Sequence, residues 1–132
     1  MNKETLNYYK IIRDELENTV FDLFNYINQN YHDILKFDDG YSLYHDYYVA
    51  DETISIEYID SRLLDANDLF YHDYINIPID DFCNNPKEWA DKWATKLRKK
   101  KLKQEKQEQL NKEKEERNLY EQLKQKYEKN NN

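Results

Sequence analysis

NPKEWADKWATKLRKKKLKQEKQEQLNKEKEERNLYEQLKQKYEK, residues 85–129, holds no glycine, and no proline after Pro86. Asn85 supplies a helix N-cap, Pro86 suits the first helical position, and Glu88 stands where a carboxylate can reach back to the cap. With nothing to break it, the stretch predicts one long helix from residue 86, roughly 65 Å in length at 1.5 Å per residue. Its first turns carry Trp89, Trp93 and Leu97 at i, i+4, i+8 spacing, a stripe expected to pack on a globular body. Beyond Leu97 only Leu102 and Leu110 are apolar before Leu119. Pairs such as Glu108–Lys112 and Glu113–Arg117 favour a solvated helix, each by about 0.2–0.5 kcal/mol. Sustained a/d heptads are absent, which argues against a dedicated coiled coil.

Charge divides the chain at the same place. Residues 1–94 hold 20 acids and 7 bases, a balance of −13, while residues 95–132 hold 7 acids and 13 bases, a balance of +6. The first part uses 14 Asp and 6 Glu, the second 7 Glu and no Asp. Asp favours turns and caps, and Glu the helix interior. Two parts follow: an acidic, tyrosine-rich body over 1–94, including the start of the last helix, and a charged extended helix with a frayed end over 95–132.

Within the body, Leu6, Tyr9, Ile12, Leu16, Val20, Leu23 and Ile27 recur every three or four residues from Lys3 to about Asn30. Ile11, Phe21 and Phe24 widen the stripe, so this segment predicts a helix burying one face against a sheet. Residues 34–37 lead into Asp38-Asp39-Gly40, a hairpin signal with the chain's single glycine placed for positive φ. Residues 41–49 give the second arm. Residues 53–59 alternate Ile54, Ile56 and Tyr58 against Ser55 and Glu57, a half-buried strand. Residues 70–79 return with Tyr71, Asp73, Ile75, Ile77 and Ile79 on one face, and Pro78 marks an edge or exit. The fold expected is α+β: an N-terminal helix on a small antiparallel sheet of three to four strands, followed by a long C-terminal helix.

Composition sets the function classes aside or keeps them. Charged residues make up 36% of the 132, above the roughly 25% usual for globular chains. Aromatics at 15%, with 13 tyrosines, exclude disorder throughout. Cys83 has no partner for an intrachain disulfide, which suits a reducing compartment. No apolar run reaches the length of a signal core or a membrane span, so a cytoplasmic protein without membrane contact is expected. One glycine leaves no room for a phosphate-binding loop.

Several features bear on chemistry. All three histidines sit in the same tripeptide, Tyr31-His32-Asp33, Tyr44-His45-Asp46 and Tyr71-His72-Asp73. His45 and His72 on neighbouring strands would suffice, with an Asp, for a divalent metal. Their spacings match no established zinc pattern, and a surface of polar aromatics is the simpler account, so no metal and no cofactor is expected. No two of the 20 body carboxylates stand out as an acid–base pair. Cys83 beside Phe82 reads as a packed thiol, because no basic or helix N-terminal setting activates it. A catalytic set is therefore not expected. Between Asp91 and Glu105 run seven bases and no acid, from Lys92 to Lys103. Nucleic-acid phosphates would suit them. Four in succession, though, point all round a helix, and a body at −13 repels a polyanion, so a solvated helix is the stronger reading. The acidic body invites the opposite idea. Acids spread over a tyrosine-bearing sheet can imitate a phosphate backbone and occupy a basic groove.

The Ile-Pro-Ile exit at residues 77–79, the Trp-bearing helix start and the Lys/Glu run closing on Leu119-Tyr120-Glu121-Gln122-Leu123-Lys124 resemble uncharacterised small proteins of phages and prophages. The resemblance spans roughly residues 50–129 and carries over no functional residues. It implies a mobile-element setting, in the host cytoplasm, where small acidic binders inhibit defence proteins. The expected function is thus a non-enzymatic inhibitor of a host protein, such as an RNA-guided nuclease whose nucleic-acid groove it occludes. Contact is expected from Tyr44, Asp46, Tyr47, Tyr71, Asp73 and Tyr74 on the sheet, and from Leu119, Tyr120, Leu123 and Tyr127 at the helix tip. The chain would act as a monomer or small homo-oligomer. Two alternatives stand beside it: an assembly protein oligomerising through its helix, and a nucleic-acid binder using residues 92–106.

Overall fold

The computed structural model describes residues 1–37, 40–63 and 72–130. Helix α1 (Lys3–Asn30) starts where the Asn2 side chain accepts the Thr5 backbone N–H at 2.8 Å, satisfying one of the orphan donors of its first turn. A 3-10 turn (His32–Ile34) precedes strands β1 (Ser42–Val49) and β2 (Thr53–Asp60). A second 3-10 turn (Ser61–Leu63) is followed by strand β3 (His72–Pro78), helix α2 (Ile79–Asn84) and helix α3 (Pro86–Asn130). The three strands form one antiparallel sheet in the order β1-β2-β3. The α+β expectation holds, with three strands.

Three details of the reading differ. Residues 34–37 are not a strand: Ile34 ends the 3-10 turn, and the chain after it folds inward, burying Leu35 and Phe37. Gly40 does take positive φ, at +78°, while Asp38 and Asp39 of the expected hairpin signal lie outside the described residues. Ile79 leaves the sheet, because Pro78 has no N–H for a further ladder bond and the chain turns into α2. Phe82 is the buried residue of that short helix, whereas Cys83 beside it is exposed, contrary to its reading as a packed thiol.

Two compact units divide the chain, Met1–Ala94 and Thr95–Asn132. In the first, Val20, Leu23, Phe24 and Ile27 of α1 pack on Ile54, Ile56 and Tyr58 of β2 and on Ile75 and Ile77 of β3. The alternation of β2 is thereby explained: even-numbered side chains face the helix. Tyr58 is wholly enclosed. Its hydroxyl accepts the Lys36 N–H and donates to Asp73, both at 3.1 Å, so the buried phenol is satisfied.

Helix α1 buries one face against the sheet as expected, but over only part of its length. Leu6, Tyr9 and Ile12 are exposed, and full burial begins only at Val20. The cause is length. A 28-residue helix runs about 42 Å, whereas an eight-residue strand spans about 26 Å, so the N-terminal half of α1 overhangs the sheet.

The start of α3 meets the body through Ala90 and Ala94, both fully buried, whose small side chains let the helix backbone come close. Trp89 and Trp93 flank them, half-buried and stacked on each other with centroids 5.4 Å apart. Hydroxyls of Tyr26 and Tyr31 both donate to Asp91, holding its carboxyl below the usual range and tying this turn to α1. Asn85 caps the helix as read, its side chain accepting the Glu88 N–H at 3.2 Å.

Among the described residues, every buried one lies at or before Ala94. Cutting the chain after Leu102 is therefore expected to leave a cooperatively melting protein, followed by far-UV circular dichroism. A truncated chain without a transition would place part of the stabilising surface beyond residue 102.

Candidate functional site

The sheet has a second face, turned away from α1, and its centre is a buried carboxylate. Glu57 on β2 is only 5% exposed. Alternation sends it to the side opposite Ile56 and Tyr58, where four side chains from the flanking strands close over it. His72 Nδ1 lies 2.6 Å from Oε1, and the Tyr74 hydroxyl donates to the same oxygen at 3.3 Å. The Tyr48 hydroxyl donates to Oε2 at 2.8 Å, and His45 Nε2 stands 4.0 Å from that oxygen. Burial alone would raise the Glu57 carboxyl, but the hydrogen bonds from His72 and Tyr48, the neighbouring His45 and the bond from Tyr74 outweigh it and hold it low. The same bond to Glu57, with burial, pushes the Tyr48 phenol up to about 12.

His45 reaches this group because of a β-bulge. Tyr44 pairs with Tyr58 and Asp46 with Glu57, leaving His45 as the extra residue of β1. Its ring meets His72 edge-on at 5.5 Å. The two histidines do not sit on neighbouring strands, as the metal reading supposed. They flank β2, and the carboxylate between them is Glu57 instead of an Asp. Among the described residues no group of three or more His, Cys, Asp and Glu side chains is arranged to hold a metal ion. Both Glu57 oxygens already accept protein donors, so the carboxylate is poorly placed to take a proton from a bound molecule. What it does is fix Tyr48 and Tyr74 in position at the surface.

The sheet residues singled out from sequence do not share one face. Tyr44 turns toward α1, where its ring lies 5.7 Å from Phe21 and 6.0 Å from Phe24; burial and the nearby Asp46 push its phenol up to about 12. Tyr47 pairs with Ile56 and packs against the core, half-buried. Asp73 is engaged by Tyr58 on the helix side. Tyr74 stands on the open face, and Tyr71 lies outside the described residues. Asp46 is exposed and accepts the Tyr47 N–H at 2.8 Å. Glu57 and Tyr48 were missed, because a Glu alternating with isoleucines reads as a solvent position until the strands on both sides are known.

A groove of about 370 Å³ runs between the overhanging half of α1 and the edge of β1. Tyr9, Ile12, Arg13, Leu16 and Glu17 form one wall, and Asp46, Tyr47 and Val49 the other. Separately, Leu119, Tyr120, Leu123 and Tyr127 on α3 are all exposed. The basic stretch of α3 is more ordered than expected. Lys96, Lys99, Lys100, Lys103 and Lys106 line one side of the helix with Leu102, so most of these bases do form a stripe. No described helix is long and apolar enough to cross a membrane. Compared with family models, curated proteins and solved structures, the chain matches none.

Proposed function

We propose that the chain is a non-enzymatic binding protein that covers a basic surface of another protein with its acidic, tyrosine-bearing body. The observation that carries this is the open sheet face. Exposed Tyr48 and Tyr74 are held in place by a buried Glu57, on a unit whose formal balance is −13. Tyrosines fixed in advance lose little entropy on contact, and surrounding acids steer a cationic partner toward them. In the phage and prophage setting suggested by sequence, the partner is a host defence protein with a basic nucleic-acid groove, such as an RNA-guided nuclease, met in the host cytoplasm.

A second reading rests on the lysine stripe of α3, which suits a nucleic-acid backbone. One experiment separates the two. Purified RNA-guided nucleases from bacterial hosts are tested for binding by surface plasmon resonance, with and without competing nucleic acid and across a salt series. The proposal expects a complex that nucleic acid displaces and that weakens as salt rises. Tyr74→Ala should speed dissociation, and Asp46→Asn should slow association. Binding to nucleic acid alone, lost in Lys99→Glu, would replace the proposal with the second reading. A complex indifferent to nucleic acid and to salt would remove groove occlusion as the mechanism.

A further inference from the structure

The second unit, Thr95–Asn132, is built on the single helix α3, so no other element of that unit covers an apolar side chain on its surface. Near the end of the helix Leu119, Tyr120, Leu123 and Tyr127 are 57 to 71% exposed. Leu119 and Leu123 share one side, and Tyr120 and Tyr127 run along one flank of that pair. Leucines exposed together and rimmed by charge mark a contact with another molecule.

Charge order identifies the molecule. Residues 107–132 are neutral as a whole, with six acids and six bases, so no net charge draws this segment to an acidic or a basic surface. The charges are nevertheless sorted about the leucines. Three residues before the pair stands Glu116, and three after it Lys126, both on the leucine side of the helix. Two copies crossing antiparallel, with Leu119 of each facing Leu123 of the other, bring each Glu116 against the other copy's Lys126. The same register sets Glu115 beside Lys129 on one flank, and Tyr120 beside its own counterpart on the other. No like charges face each other along this seam. Parallel pairing would instead set Glu116 on Glu116 and Lys126 on Lys126. Sliding the antiparallel pair by one heptad would set a leucine against Glu116 or Lys126.

We infer that α3 pairs with a second copy of itself, antiparallel, with Leu119 of each copy on Leu123 of the other. The contact is isologous, the same surface meeting itself, so it closes at a dimer. With two leucines per copy it lies at the small end of specific interfaces, below about 1,200 Å², so the dimer exchanges readily with monomer. It uses only the second unit. It can therefore fail or hold independently of the open sheet face that carries the proposed function.

Charge reversal tests it. Sedimentation equilibrium of the full chain should show mass rising with concentration and levelling at a dimer. Leu123→Ser removes a leucine from both central layers and should leave a monomer with an unchanged melting curve, because the side chain is exposed. Should that change loosen the helix by far-UV circular dichroism, Leu123→Gln, a better helix former, takes its place. Glu116→Lys or Lys126→Glu alone should raise the dissociation constant roughly tenfold, since two attractive pairs become repulsive. Both exchanges in one chain should restore wild-type association, because opposite charges again face each other. A wild-type chain that stays monomeric at every concentration overturns the inference, and that outcome includes a row docked on its own body. So does association that survives loss of Leu123, that grows past a dimer, or that the double exchange fails to restore. Association that ignores the single reversals, as parallel pairing would, overturns it too.

Discussion

Phe24→Ala is expected to destabilise the body by about 3–5 kcal/mol, which is comparable to the whole stability of a small domain. Phe24 is 2% exposed, at the centre of the helix–sheet contact, with the rings of Tyr44 and Tyr58 at 6.0 and 5.9 Å. Truncation removes those ring contacts and leaves a void that the rigid sheet cannot close. Urea titration followed by tryptophan fluorescence reads the loss, using Trp89 and Trp93 beside the same core. A change below about 1 kcal/mol would mean that α1 is not the element holding the sheet.

Alkali should destabilise the protein between pH 10 and about 12. Tyr26 is held up to about 12 by its bond to Asp91 and by burial, Tyr44 to about 12 by burial, and Tyr48 to about 12 by Glu57. Burial raises Tyr58 further still. Unfolded tyrosine loses its proton near pH 10. Above that pH the unfolded chain releases protons that the folded chain keeps, so each rise in pH favours unfolding. The contribution of these phenols is intact below pH 10 and is lost through the window from 10 to about 12. Tyrosinate absorbance should therefore grow in two steps, the later one coinciding with loss of far-UV circular dichroism. If all 13 tyrosines titrate in one step near pH 10 with the fold intact, the bonds of Tyr26 to Asp91 and of Tyr48 to Glu57 and the burial of Tyr44 and Tyr58 do not hold in solution.

Much of the architecture was legible because it depends on local pattern. The spacing from Leu16 to Ile27, the alternation from Ile54 to Tyr58 and the Asn85-Pro86 start each name an element without reference to the rest of the chain. What escaped depends on relations between elements. The overhang of α1 follows from comparing a helix length with a strand length, and no residue from Leu6 to Ile12 signals it. Glu57 is buried only because β1 and β3 bring Tyr48, His45, His72 and Tyr74 over it, a matter of register across three strands. The lysine stripe was hidden by the run Arg98 to Lys101, which looks like a charge on every side until Lys96, Lys103 and Lys106 are added at helical spacing. Helix α2 escaped because Pro78 gave a reason for the strand to stop but none for what came next.

The bulge at His45 gives β1 two phases. Residues 42–44 and 46–49 each alternate correctly between the faces, but the count is offset by one where they join. Losing His45 itself would leave plain alternation, with Tyr44 still opposite Tyr58 and Asp46 opposite Glu57, and would remove only the imidazole beside the buried carboxylate. A residue lost or gained anywhere else in β1 would instead turn part of the strand over, exchanging Tyr44 with Leu43 or Tyr47 with Tyr48. Length changes in this strand should therefore be tolerated at position 45 and not beside it, and the extra residue is kept for the side chain it delivers to Glu57.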